Sequence, residues 1–110
     1  MKEVIVFGGS GFLGSYVADE LTRRGFDVVV ADLHESKYIH GEQKFKKVDV
    51  FNIEEISKII KNASVVYNFS AVAELEEAIE NPIRTFQVNV LGNLNILEAC
   101  KKADSIERFV

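Results

Sequence analysis

The segment that most constrains the fold is the glycine-rich run at residues 8–14, which reads GGSGFLG. It follows a short apolar segment and precedes a stretch with helical periodicity. A strand, a tight turn and a helix start bring backbone N–H groups and the positive end of a helix dipole to one point. Glycines at positions 8, 11 and 14 omit the Cβ atoms that would obstruct such a turn and its ligand. Because the run lies between a strand and a helix, it predicts a pyrophosphate-binding turn at Gly8, Gly11 and Gly14.

Strand-like and helix-like segments alternate along the whole chain. We predict strands at residues 3–7, 26–31, 45–48, 64–69 and 106–110. We predict helices at residues 12–24, from residue 52 onward, at 74–80, and from 82 to about 103. Near-continuous apolar strands separated by helices are typical of a parallel sheet covered on both faces. With right-handed crossovers, this predicts a Rossmann-like doubly wound α/β fold of about five strands in the order 3-2-1-4-5.

The longest predicted helix has a clear start and an apolar face. Asn81 is predicted as its N-cap, and Pro82 occupies the first helical position. Helical spacing predicts that its inner face carries Ile83, Phe86, Val90, Leu94 and Leu97. An earlier helix is predicted to begin at Asn52, with Glu55 three residues later in a capping-box-like arrangement.

Composition narrows the class of protein. The chain has 110 residues, 47% of them hydrophobic, which suits one soluble domain over residues 1–110. The net charge is −4 and no block of basic residues is present, which argues against a nucleic-acid partner. A single cysteine and the lack of metal-site spacing predict no internal disulfide and no metal site, and we expect a cytoplasmic location. The sequence shows neither an export signal nor a membrane-spanning stretch.

Asp32 closes the second predicted strand, 18 positions after Gly14. That spacing is near the roughly 20 residues expected for the acid that binds an adenosine ribose. A carboxylate there accepts hydrogen bonds from the 2′- and 3′-hydroxyls and repels a 2′-phosphate, so Asp32 favours NAD over NADP. The alternative is a solvated acid at a strand end.

Three further places are candidates for ligand contact, each with a structural alternative. Asp49 and Val50 end the third strand, where they could contact an adenine, or Asp49 could simply lead into the next helix. Residues 68–71 (NFSA) end the fourth strand at the carboxyl edge, where small residues admit a cofactor or merely pack tightly. Asn89 is a polar amide in the middle of the long helix, so it needs a hydrogen-bond partner near the strands or in the site.

Taken together, these residues resemble the N-terminal part of the extended short-chain dehydrogenase/reductases, the NAD-dependent epimerase/dehydratase family that acts on nucleotide sugars. The resemblance covers essentially all 110 residues. It rests on residues 8–14, Asp32, Asp49 with Val50, residues 68–71, and the segment NPIRTFQVNVLGNLNILEAC at residues 81–100.

The resemblance implies a role for each candidate residue. The glycine turn, with the backbone of Phe12 and Leu13, would bind the pyrophosphate of NAD. The adenosine would be held by Asp32 at the ribose and by Asp49 with Val50 at the adenine. The nicotinamide ribose would lie near Phe69, Ser70 and Ala71, and Asn89 would support the site. The long helix would also help to form a homodimer.

The sequence departs from the family pattern in two mild ways and one large one. The family often has His-Leu-Ala-Ala at residues 68–71, and Gly-Thr where this chain has Gly92 and Asn93. Its chemistry also needs a Tyr-x-x-x-Lys pair, in which the tyrosine moves a proton while hydride moves to or from the nicotinamide. Here the residues four positions after the tyrosines are Glu20, Glu42 and Ala71. We therefore assign no catalytic residue, and expect an inactive NAD-binding part of a longer nucleotide-sugar epimerase or dehydratase.

Two alternatives remain open at the level of the sequence. The chain could be a stand-alone, non-catalytic dinucleotide-binding module. It could also be an S-adenosylmethionine-dependent methyltransferase, although Gly14 and the lack of an acid directly before Gly8 argue against that. Whether the chain is part of a longer enzyme or a stand-alone dinucleotide-binding module, we expect it to bind NAD weakly and to prefer NAD over NADP. We also expect self-association through the fifth strand and the long helix.

Overall fold

The structure is a computed structural model that describes residues 2–110. Its strands are β1 (Glu3–Phe7), β2 (Asp27–Asp32), β3 (Lys44–Lys47), β4 (Val65–Asn68) and β5 (Arg108–Phe109). Its helices are α1 (Phe12–Arg23), α2 (Ile53–Ile60), α3 (Leu75–Glu80), α4 (Pro82–Phe86) and α5 (Asn93–Lys102). A π-helical segment (Gln87–Gly92) joins α4 to α5, and we call residues 82–102 together the long helix. Within residues 2–110, no helix is long and apolar enough to cross a bilayer.

The strands form one parallel sheet in the order β3-β2-β1-β4-β5, which confirms the predicted topology. Phe7 at the end of β1 is in register with Ala31 in β2 and with Asn68 in β4. The glycine turn, Asp32 and the segment after Asn68 therefore leave the sheet at the same carboxyl edge. Open α/β sheets bind ligands at this edge, where the strand order reverses.

Both faces of the sheet are covered by helices, as the apolar strands predict. Side chains alternate along β1, so Val4 and Val6 pack on the α1 side, whereas Ile5 and Phe7 pack on the other side. The second layer is larger and includes Ile56, Ile60, Ile96, Ala99 and Cys100 from α2 and α5. The largest buried cluster thus lies under α2 and α5 and fixes the long helix relative to the strand ends.

The helix ends agree in part with the predicted capping. Helix α1 ends with two backbone bonds, from Gly25 N–H to Thr22 O (3.0 Å) and from Phe26 N–H to Leu21 O (3.1 Å), which form a Schellman motif. The Asn52 side chain accepts from Glu55 N–H at 3.1 Å, so this cap is confirmed. Asn81 does stand at the N-cap position, but its side chain makes no capping hydrogen bond there.

The predicted inner face of the long helix is wrong. Ile83 and Phe86 are 74% and 64% exposed, and the other three predicted residues, Val90, Leu94 and Leu97, are exposed as well. The face that packs on the core instead carries Gly92, Ile96, Ala99 and Cys100. Small residues are needed there because the helix approaches closely: a Cβ on Gly92 would lie 2.7 Å from Val50 Cγ2. The helical periodicity identified one apolar face, but the long helix has a second one. Only the packing in the structure shows that the second face is the buried one.

Cys100 lies in the core, and burial raises the pKa of its thiol to about 11. Since the thiolate is the reactive form, we expect Cys100 to react slowly with a thiol reagent such as iodoacetamide at neutral pH. Labelling in native buffer and in denaturant, followed by mass spectrometry, measures this. Rapid labelling without denaturant would show that α5 is not packed on the sheet as described.

Candidate functional site

The glycine turn is built by main-chain contacts between neighbouring strands and α1. Gly8 adopts φ +73°, a conformation that favours glycine, and its N–H donates to Ala31 O at 2.8 Å. Gly11 N–H then donates to Gly8 O at 3.1 Å, which closes the turn. A Cβ on Gly14 would overlap the same Gly8 carbonyl. The geometry of this corner therefore requires glycine at positions 8 and 14, whereas a Cβ on Gly11 would lie 3.3 Å from Gly8 O, a close contact that a small shift relieves.

Helix α1 starts directly after the turn, with Gly11 as its N-cap. The first backbone N–H groups of a helix have no intrahelical acceptor, and glycine brings no side chain to cap them. Phe12 and Leu13, the first two residues of α1, are exposed. Their N–H groups lie at the positive end of the helix dipole, where an anion is favoured.

Asp32 is connected directly to the glycine turn. One carboxylate oxygen accepts from Ser10 N–H at 3.1 Å, and the other accepts from Leu33 N–H at 2.7 Å. These bonds fix the carboxylate at the end of β2, beside the turn. Its remaining acceptor capacity is available to a hydroxyl-bearing ligand.

A cleft of about 560 Å³ opens at the carboxyl edge of the sheet, next to Asp32. Its walls come from the segments after β2, β3 and β4 and from α3 and the long helix. The lining residues are Asp32, Leu33, His34, Val48, Asp49, Val50, Phe51, Ser70, Ala71, Val72, Ala73, Glu74, Glu77, Arg84 and Val88. Its size is within the range of small-molecule and cofactor sites.

The structure brings most of the predicted residues together, but in two groups. Five of them line the cleft: Asp32, Asp49, Val50, Ser70 and Ala71. The glycine turn with Phe12 and Leu13 lies at its Asp32 end, through the Ser10–Asp32 bond. Phe69 differs, because its side chain stacks on Tyr67 at 6.1 Å and packs in the α1-side layer.

Sequence reasoning missed several lining residues. His34, Glu74 and Glu77 were not among the predicted site residues. All three are exposed, yet they also border the cleft. Arg84 brings a guanidinium to the same border. The only sequence signal for these residues is their position just after β2, or after β4 and into α4. Segments that follow the ends of parallel strands meet at the carboxyl edge of the sheet, where the cleft lies.

Three asparagines of the long helix bind the strand-end segments. Asn89 both accepts from Val72 N–H (2.7 Å) and donates to Val72 O (3.1 Å). Its predicted polar partner is therefore the backbone after β4. Asn95 donates to Val50 O at 3.0 Å, and Asn93 accepts from the Asn68 amide at 2.8 Å. Asn89 lies within the π-helical segment, and Asn93 follows directly after it. Such segments occur frequently at functional sites.

Comparison with known proteins identifies the family. The model of the NAD dependent epimerase/dehydratase family matches residues 4–110. The chain belongs to this family. A putative UDP-glucose 4-epimerase of Methanocaldococcus jannaschii is 32% identical over 97% of the chain, and the match covers 36% of that protein. A UDP-glucose 4-epimerase of Lactobacillus helveticus is 30% identical over 93% of the chain and 32% of its own length.

Solved structures of epimerases share the fold of this family member. The UDP-glucose 4-epimerase of Thermus thermophilus, in complex with NAD, has a TM-score of 0.83 and 32% identity. The match covers 91% of this chain and 34% of that one. The Thermotoga maritima UDP-glucose 4-epimerase, solved with UDP-glucose, has a TM-score of 0.90 and 26% identity, over 97% of this chain and 36% of that one. The chain thus spans about a third of the length of these relatives.

Proposed function

We propose that residues 1–110 form a dinucleotide-binding unit whose ligand is NAD. The pyrophosphate would lie on the glycine turn and the first N–H groups of α1, and the adenosine would enter the cleft at Asp32, Asp49 and Val50. The nicotinamide side would lie near the segment at residues 69–71. Asn89, through its two bonds to Val72, would support this last segment.

The observation that carries the proposal is the bond from Ser10 N–H to Asp32 at 3.1 Å. It joins the anion-binding turn to the carboxylate at one end of a cofactor-sized cleft. A ligand with a diphosphate next to a ribose diol fits these two groups. The backbone N–H groups of the turn favour the anion, and the Asp32 carboxylate accepts hydrogen bonds from the hydroxyls. A 2′-phosphate would meet the Asp32 charge, so the site favours NAD over NADP.

Calorimetric titration of the chain with NAD, NADP and S-adenosylmethionine tests this assignment. We expect weak binding of NAD, weaker binding of NADP and none of S-adenosylmethionine. An NADP affinity equal to that of NAD would overturn the role of Asp32. Tighter binding of S-adenosylmethionine would support the methyltransferase alternative instead.

For the whole protein to which this chain corresponds, we propose a nucleotide-sugar epimerase or dehydratase. The support is the family, together with relatives that include a putative UDP-glucose 4-epimerase and a UDP-glucose 4-epimerase. Bound NAD supplies a hydride acceptor and donor in such chemistry. This chain has no Tyr-x-x-x-Lys pair, so we propose that by itself it binds the dinucleotide without turnover. Its single, buried thiol agrees with a reducing, cytoplasmic compartment.

We also propose that two copies of the chain associate through the long helix. The exposed apolar residues that recur at helical spacing along this helix, which we call its stripe, are Ile83, Phe86, Val90, Leu94 and Leu97, and Ile79 of α3 is exposed as well. Several large apolar side chains exposed along one helix indicate a protein interaction site. A second copy presents the same stripe, which is the requirement for a two-fold symmetric dimer.

Replacing Phe86 and Leu94 together by glutamate is expected to abolish this association. Two carboxylates in an apolar interface would have to be desolvated without partners, whereas on the monomer both side chains are exposed. Light scattering after size-exclusion chromatography measures the mass. The matched control is Gln87→Glu, a charge added at an exposed polar position of the same helix. A wild-type chain that is monomeric at high concentration would contradict the proposal.

A further inference from the structure

We propose that Asn93 is a positioning residue for the dinucleotide and acts through Asn68. The inference rests on the proposed function, since it concerns the same cleft. Asn93 lies in the first turn of α5, and Asn68 is the last residue of β4. Both side chains are partly buried, and they are bonded to each other between the long helix and the sheet. These are also two of the positions at which the sequence departs from the family pattern.

The direction of the hydrogen bonds fixes what Asn93 must do. Ser70 N–H is a donor, and it donates to Asn68 Oδ1 at 2.9 Å. The Asn68 side chain therefore directs its Nδ2 away from Ser70, and this group donates to Asn93 Oδ1 at 2.8 Å. Asn93 is thus required to present an acceptor. Without it, the Asn68 amide loses the partner that holds it in the orientation that Ser70 needs.

Ser70 is the first residue after β4 whose backbone N–H does not bond to a neighbouring strand. Phe69 N–H donates to Phe7 O at 2.8 Å as part of the sheet edge, whereas Ser70 N–H is bonded to the Asn68 side chain. The segment also touches the glycine turn. A Cβ on Gly8 would lie 2.5 Å from both Phe69 C and Ser70 N. A shift of Ser70 therefore moves the backbone that lies against Gly8.

The other end of the cleft is held by a separate bond. Asn95 donates to Val50 O at 3.0 Å, and this contact involves neither Asn68 nor Ser70. The long helix thus positions the two ends of the cleft through different side chains. Loss of the Asn93 acceptor is expected to affect the nicotinamide side of the ligand and to spare the AMP half.

The experiment compares Asn93→Ala, which removes the acceptor, with Asn93→Asp, which keeps it. Each variant is titrated with NAD by calorimetry and with AMP, the adenosine half alone, by NMR. A lost bond to a partly buried amide predicts about a tenfold weaker NAD affinity in Asn93→Ala, with AMP affinity unchanged. We expect Asn93→Asp to bind NAD within about threefold of wild type, since a carboxylate also accepts from Asn68. The comparison variant Asn95→Ala is expected to weaken AMP and NAD alike.

A second readout needs no ligand. Hydrogen exchange at the Ser70 amide is expected to be faster in Asn93→Ala than in wild type, and restored in Asn93→Asp. If Asn93→Ala unfolds, Asn93→Thr replaces it, with a shorter acceptor and an expected intermediate exchange rate. Unchanged Ser70 exchange, equal losses of AMP and NAD affinity, or equal effects of alanine and aspartate would overturn the inference. A wild-type chain that binds AMP and NAD no better than S-adenosylmethionine would instead overturn the proposed function, while the exchange measurement still tests the Asn93–Asn68 contact.

Discussion

Replacing Gly14 by alanine is expected to abolish measurable NAD binding and to lower the free energy of unfolding by about 2–3 kcal/mol. The new Cβ would overlap Gly8 O and lie 2.9 Å from Gly9 Cα, so α1 would have to move away from the turn. The groups it meets belong to the backbone and cannot rotate aside. Calorimetric titration measures the binding, and urea denaturation followed by circular dichroism measures the stability.

Gly41→Ala is the matched control. A Cβ at Gly41 meets nothing within 4 Å, so the same chemical change should alter neither binding nor stability noticeably. If Gly14→Ala bound NAD like wild type, the pyrophosphate could not lie on this turn. If Gly41→Ala were equally damaging, the loss would reflect a general sensitivity of the fold.

Replacing Asp32 by asparagine is expected to remove most of the preference for NAD over NADP. Hydrogen bonds to charged groups contribute about 1.5–3 kcal/mol, so NAD affinity should fall by roughly tenfold or more. NADP affinity should fall less, because the repulsion of the 2′-phosphate is relieved at the same time. Asparagine keeps one side-chain oxygen, which can still accept a main-chain N–H from Ser10 or Leu33. Parallel titrations with NAD and NADP give the ratio directly.

The control for charge alone is Asp104→Asn, which removes one carboxylate at an exposed position away from the cleft. Its affinities for both dinucleotides should match those of wild type. An unchanged ratio of NAD to NADP affinity in Asp32→Asn would show that this carboxylate does not contact the ribose. Loss of folding in Asp32→Asn, seen by circular dichroism, would show that the Ser10 contact is mainly structural.

Much of the fold could be predicted because its determinants are local. The apolar segments and the glycine run each mark the end or start of an element, and strand order then follows from right-handed crossovers. The capping by Asn52 is also local, since its partner is three residues away. Asn81 shows the limit of such local signals, because it occupies the predicted N-cap position and yet makes no side-chain capping bond.

The error at the long helix has a different cause. Periodicity measures how apolar a face is, and Phe86 and Leu94 are as apolar as core residues. The face that packs is the one with Gly92 and Ala99, where the backbone can approach Val50 and the sheet. The π-helical segment also changes the angular spacing of side chains along residues 87–92, which a uniform 3.6-residue period does not represent.

By itself the sequence determined the order of the elements and the glycine turn between β1 and α1, because these depend on residues near one another in the chain. The phosphate-binding role of the turn and the ribose-binding role of Asp32 stay predictions from the sequence. Only the tertiary structure decided which face of the long helix is buried. It also decided that Asn93 meets Asn68 and that Glu74, Glu77 and Arg84 border the cleft. These contacts join segments that are far apart in sequence, and they arise from the depth to which the helix packs on the sheet, which no local pattern encodes.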